Sequence, residues 1–235
     1  MPKKASNVDI WLTRETSHVR KALENASSYF DSKDDFNVNT LEAIYAQESS
    51  FGLLKREHGS KNPAGEFHLG VDTAKRYGLS VAKGNDQRFD IDYASITAAR
   101  YLKNLNKFFS KGTLLLKGLK TIPIQDIAER RRFVLASYNV GEGTIAKAQR
   151  LALQAGKDPM DWNNVKEFLK ALDLSAKKVK EIREYVDNVS ENEIEFAQKS
   201  SADKKAKDWK FTKPKSQGNK CHWITKDGHH ILICD

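Results

Sequence analysis

LEAIYAQESSF, residues 41–51, is the stretch on which the reading of the chain turns. At helical spacing Leu41, Ile44 and Tyr45 form an apolar stripe, and the positions that continue it hold Glu48 and then Phe51. An acid stands where the pattern asks for a hydrophobe. Either the helix ends there and Glu48 faces water, or a carboxylic acid is held against apolar surface. Asn39 ahead of Leu41, with Glu42 three residues later, has the form of an N-cap, and Gly52 is placed to stop the helix. Glu48 then falls in the last turn, where a side chain can leave the core for a cleft.

The flanking chain has the same helical period. Apolar residues recur at 19, 23, 26 and 30, again at 98, 102, 105 and 109, and Ile127, Val134 and Tyr138 share one side of a further segment. Such stripes are core faces first, and they predict a mainly α fold. Asp90 and Asp92, just ahead of the second stripe, are helix-start acids favoured by the dipole. With 235 residues, 39% of them hydrophobic, and four Trp, the chain can bury one medium-sized core with small additions. No run approaches the roughly eighteen apolar residues of a membrane span. The opening MPKKASNVDIW carries positive charge without the apolar stretch of a secretory signal.

A net charge of +9 suggests nucleic acid until its location is checked. Residues 199–220, KSSADKKAKDWKFTKPKSQGNK, hold eight Lys against two Asp, so six of the nine excess charges lie in one short polar tract. The remaining body is only mildly basic. That composition reads as a solvated linker or tail, with contact to an anionic surface or an envelope protein as the functional alternative. A nucleic-acid binder ranks last.

Cys221 and Cys234 are the two cysteines, and CHWITKDGHHILIC runs between them. Asp227-Gly228 is a two-residue hairpin signal flanked by strand formers. Counting outward pairs Lys226 with His229, Ile224 with Ile231, Trp223 with Leu232 and Cys221 with Cys234. Opposed residues of an antiparallel pair lie close enough for a disulfide, and an isolated hairpin is marginal in water, so a clasp is expected, and with it an oxidising compartment. A metal site from Cys221, His222, His229, His230 and Cys234 is disfavoured, because strand alternation sends the histidines to different faces.

Four segments follow one another in a telling order: AQESSF, then GEFHLGVDTAKRYGL, then DQRFDIDYASITAARYL, then LASYNVGEGTIAKAQ, with KEIREYV closing. Together they resemble the lytic transglycosylase domain of the soluble type (SLT, glycoside hydrolase family 23), related in fold to goose-type lysozyme. The resemblance spans roughly residues 15–190. It implies a lysozyme-like helical domain there, with residues 1–14 as an N-terminal extension, 191–220 as a Lys-rich linker and 221–235 as the C-terminal hairpin.

Carried over position by position, the resemblance puts Glu48 on the family's catalytic glutamate. Ser49, Ser60, His68, Tyr138, Asn139, Glu181 and Tyr185 become candidate substrate contacts. Glu66-Phe67-His68 departs from the family's Leu-Met-Gln, which leaves the acid untouched and alters the sugar-facing side. The implied reaction cleaves peptidoglycan between N-acetylmuramic acid and N-acetylglucosamine without metal or organic cofactor. One glutamate protonates the leaving oxygen and then deprotonates the C6 hydroxyl, closing a 1,6-anhydro ring. Burial against apolar groups favours the protonated carboxyl that the first step needs. A buried Tyr138 hydroxyl needs a partner, and the Glu48 carboxyl is the one expected. A hydrolytic lysozyme and a non-catalytic wall-binding or assembly protein are the alternatives. The expected setting is the bacterial cell envelope, periplasmic or secreted, for a monomer.

Overall fold

The computed structural model describes residues 5–211, 221–226 and 229–234, with side chains through residue 200. In chain order its α-helices are α1 (Asn7–Leu12), α2 (Ser17–Ser27), α3 (Val38–Ser49), α4 (Val71–Arg76), α5 (Ile91–Lys111), α6 (Ile127–Val140), α7 (Glu142–Gln154), α8 (Trp162–Val165) and α9 (Ala176–Phe211). Three antiparallel pairs complete the described residues: β1 (Val81–Ala82) with β2 (Asn85–Asp86), β3 (Leu114–Leu116) with β4 (Leu119–Lys120), and β5 (Cys221–Lys226) with β6 (His229–Cys234). The fold is mainly α. Two units divide the chain, residues 1–197 and 198–235.

The first unit is organised by α5. Ala98, Leu102, Leu105 and Phe109, the stripe visible in the sequence, are fully buried, and burying each large apolar side chain contributes about 1.5–3 kcal/mol. Asp90 starts the helix by accepting the Asp92 N–H, and Gly112 ends it in the left-handed region at φ 68°. α2 and α6 pack on α5, and α7 packs on α6. Val134 of α6 is buried, whereas Ile127 in its first turn is exposed, so the stripe on that helix begins later than its spacing suggests.

Helix α3 starts and stops elsewhere than expected. Its N-cap is Asn37, not Asn39. The Asn37 side chain accepts the Asn39 and Thr40 N–H groups, and Thr40 Oγ1 accepts the Asn37 N–H, closing a capping box in which Thr40 does the work assigned to Glu42. Glu42 is turned inward to Arg20 instead. At the other end the helix stops at Ser49, before Gly52 is reached, because Ser50 and Phe51 already adopt left-handed backbone at φ 51° and 58°.

Residues 5–14, within the expected N-terminal extension, pack on the helical body. Ser6 caps α1, Val8 is fully buried and the Trp11 ring stacks on Phe196 of α9 at 6.3 Å. The tract expected to be a linker from residue 191 is helical through Phe211. In the second unit the strand register sets Cys221 opposite Cys234 and Lys226 opposite His229, the pairing counted from Asp227-Gly228. The disulfide itself, like the cysteine and histidine side chains there, lies outside the described residues.

Candidate active site

Glu48 leaves the core because of the turn that follows it. Ser50, Phe51 and Gly52 all have positive φ, a costly run for two residues that are not glycine. Three contacts hold it. The Phe51 ring is buried against Tyr45 (4.7 Å) and Phe196 (5.8 Å), Ser49 Oγ accepts the Gly52 N–H at 3.0 Å, and Arg14 donates to the Ser50 carbonyl at 2.8 Å. At Gly52 only glycine fits, since a Cβ there would stand 2.6 Å from the Tyr45 hydroxyl.

The opposite wall is the loop from residue 53 to 70, organised around a wholly buried arginine. Arg88 pairs with Asp86 at 2.7 Å and donates to the carbonyls of Ser60, Asn62 and Leu69. Burial opposes the Asp86 carboxylate, but hydrogen bonds from Arg88 and the Gly59 N–H outweigh it and hold the acid below its ordinary range. Gly65 lies so close to this arginine that a Cβ would meet the Arg88 carbonyl at 2.0 Å. Glu66 is buried between the Tyr45 hydroxyl at 2.7 Å and the Lys55 ammonium. It ties the loop to α3.

Between these walls is a cleft of about 440 Å³ lined by Glu48, His68, Tyr101, Tyr138, Asn139 and Glu181, among others. Glu48 is 13% exposed. Its Oε1 accepts the Tyr185 hydroxyl at 2.8 Å, and its Oε2 lies 3.3 Å from His68 Nδ1. The expectation that Tyr138 would partner Glu48 is corrected here: the Tyr138 hydroxyl donates to the Phe67 carbonyl at 3.2 Å, and Tyr185, one helix over, takes the acid. Burial pushes both phenols well above their ordinary range, and the nearby Glu48 charge adds to it. Both remain donors at any working pH. The acid's surroundings are therefore aromatic with two polar contacts, more polar than the apolar stripe alone implied.

Asn139 and Glu181 face each other across the cleft rim at 3.3 Å, and Lys178 bridges them, 3.0 Å from Asn139 Oδ1 and 2.6 Å from Glu181 Oε1. Burial works against the Glu181 charge, yet the Lys178 contact prevails and holds that carboxyl below its ordinary range. Two candidates fall away. Ser49 is fully buried and bonded to the Tyr45 carbonyl, so it shapes the turn and does not touch a ligand. Ser60 sits at the base of the loop, its hydroxyl accepting the Asn62 N–H, off the cleft wall.

Lys178, Arg14 and Arg88 went unrecognised in the sequence. The i,i+3 spacing of Lys178 and Glu181 was a usable signal. Nothing local marks Arg14, whose partner lies 36 residues away; Arg88 has its ion-pair partner Asp86 two residues before it, but the carbonyls it holds lie up to 28 residues away. Among the described residues no His, Cys, Asp or Glu cluster has the arrangement of a metal site.

The family profile described as Transglycosylase SLT domain matches residues 26–160, more than half of the chain. The chain belongs to the transglycosylase SLT family. Its lysozyme-like helical fold is the one that membership carries. Among similar proteins is "Membrane-bound lytic murein transglycosylase F" of Desulfosudis oleivorans, 30% identical over 153 residues, 65% of this chain and 28% of that protein. "Membrane-bound lytic murein transglycosylase F 1" of Alkalilimnicola ehrlichii is 31% identical over 160 residues, 66% of this chain and 28% of its own length. In Marinobacter nauticus the protein of the first name is 59% identical over 44 residues, 19% of this chain and 9% of that one. This SLT chain thus spans about 28% of the length of the first two relatives. No helix among its described residues is long and apolar enough to cross a membrane.

Proposed function

We propose that this chain is a peptidoglycan lytic transglycosylase of the cell envelope in which Glu48 serves first as general acid and then as general base. The observation that carries the reading is the pairing state of the two cleft carboxyls. Glycosidases that hydrolyse through two carboxyls need the second one free to act as nucleophile or base. Here Glu181 is ion-paired with Lys178 at the rim, and Glu48 is the other carboxyl lining the cleft, oriented by the Tyr185 hydroxyl.

In the first step the Glu48 proton passes to the glycosidic oxygen as the C1–O bond breaks, and the substrate's acetamido group bears the positive charge that develops. In the second, the Glu48 carboxylate takes the proton of the C6 hydroxyl while that oxygen bonds to C1. The anhydro ring closes, Glu48 regains its proton and no water is consumed. Tyr185 holds the carboxyl through both steps, and Asn139 with Lys178 offers polar contacts to the sugar at the rim.

Digestion of purified sacculi tests this. The released muropeptides should weigh one water less than their hydrolytic counterparts. Products of full hydrolytic mass would assign the cleft to a lysozyme, and sacculi bound without any product would assign it to a wall-binding protein.

A further inference from the structure

His68 stands where the resemblance implies an amide, and its two ring nitrogens are engaged by different partners. Nε2 lies 2.7 Å from the Leu54 carbonyl oxygen. A carbonyl only accepts, so the hydrogen-bond network assigns the Nε2 proton. Nδ1, 3.3 Å from Glu48 Oε2, therefore carries either a lone pair or the second proton of an imidazolium. The ring is held, not loosely placed. Its side chain is 13% exposed, and its backbone is left-handed at φ 43°, a strained setting for a residue other than glycine.

We propose that His68 and Glu48 share a single proton in the working enzyme, with His68 as the positioning residue that keeps that proton in the cleft and restores basicity to Glu48 after it leaves. This rests on the transglycosylase reading given above. With one proton on the pair, two arrangements are open: the Glu48 carboxylic acid donating to a neutral Nδ1, or an Nδ1–H⁺ donating to the carboxylate. When Glu48 hands the proton to the leaving oxygen, a carboxylate and the Nδ1 lone pair are left facing each other. That contact is relieved when Glu48 takes the C6 hydroxyl proton, so the histidine favours the second step. A glutamine at this place can donate to the carboxylate in either state and lacks that bias.

The neighbouring groups leave the pair to itself. Tyr185 and Tyr138, from α9 and α6, stay as phenols, Tyr101 of α5 is likewise held protonated by burial, and Lys178 is matched by Glu181. Arg56, on the same loop wall, donates to the Pro63 carbonyl and is the remaining charge lining the cleft.

Coupled groups lose their last shared proton at a higher pH than either would alone. Two measurements follow. Nitrogen-15 NMR of the intact protein labelled at histidine should show Nε2 protonated throughout the titration. In Glu48→Gln the His68 midpoint should move down by about one pH unit or more, the effect of removing a carboxylate at this distance. In His68→Gln the alkaline limb of sacculus cleavage should fall by a similar interval while substantial activity remains below it. An Nδ1–H tautomer, a His68 midpoint indifferent to Glu48→Gln, or an equal loss of rate at every pH in His68→Gln would each overturn the shared proton. Coupling seen by NMR in a protein that cleaves nothing would uphold the pair and remove the enzymatic reading it serves.

Discussion

Helix α3 carries two inward-facing glutamates, and they live in opposite worlds. Glu42 is sealed: its side chain has no exposure, its Oε1 pairs with Arg20, and its Oε2 meets no donor. Burial pushes its pKa up from 4.5 to about 8; Arg20 opposes this and Glu15 reinforces it. Glu48, six positions on, is less buried and opens on a cleft between two phenols and an imidazole. Glu42 is therefore a structural acid, despite its raised pKa. A raised carboxyl is a candidate for catalysis only where a substrate can reach it. What separates the two is the turn at Ser50–Gly52, which ends α3 just after Glu48.

Glu48→Gln makes the largest break in this comparison. It removes the proton donor at nearly constant volume, so cleavage of sacculi should fall at least about a hundredfold while the circular dichroism spectrum and Tm stay close to the parent. Turnover within tenfold of the parent would take Glu48 out of the acid role. Tyr185→Phe should come next, with a loss of about tenfold, because it deletes one hydrogen bond to an ionisable group and keeps the ring packed. An equal loss in Tyr138→Phe would shift the orienting role to that residue.

Much of this was legible beforehand. The α5 stripe, the Asp90 cap and the place of Glu48 in a last turn follow from spacing, because each depends on residues within a turn or two. The exchange of Tyr138 for Tyr185 as the Glu48 partner was not. Both tyrosines belong to the right segments, but which hydroxyl reaches the acid depends on how α6 and α9 pack beside α3, 137 residues apart for the pair that forms. Arg14, and Arg88 beyond its Asp86 pair, were hidden for the same reason: they hold backbone carbonyls, which carry no sequence signature. Glu42 shows the converse failure, where a residue type suited to a capping box was claimed by the half-buried Arg20.

Smaller effects sharpen the contrast from the other side. Glu42 has its folded-state pKa raised, so the stability it contributes is full below about pH 4.5 and is lost as pH rises towards 8. Glu42→Gln removes this titration. Relative to the parent, the Tm of the variant should improve by about 6–12 °C between pH 5 and pH 8, the size of a roughly 3 kcal/mol effect in a chain of this length. Its cleavage rate should stay within about twofold, and parallel Tm curves would show that Glu42 is ionised throughout. Arg14→Ala should act in the reverse sense. Loosening the Ser50 carbonyl should lower cleavage about two- to fivefold with little change in Tm, in keeping with the loss of one modest hydrogen bond.

The most direct test is digestion of sacculi by the intact protein in water enriched in heavy oxygen. A single acid–base glutamate that closes the ring with the sugar's own C6 hydroxyl predicts fragments that carry no heavy oxygen and weigh one water less than hydrolysis products. One heavy oxygen at each new sugar end would mean that water, and not the C6 hydroxyl, attacks at Glu48.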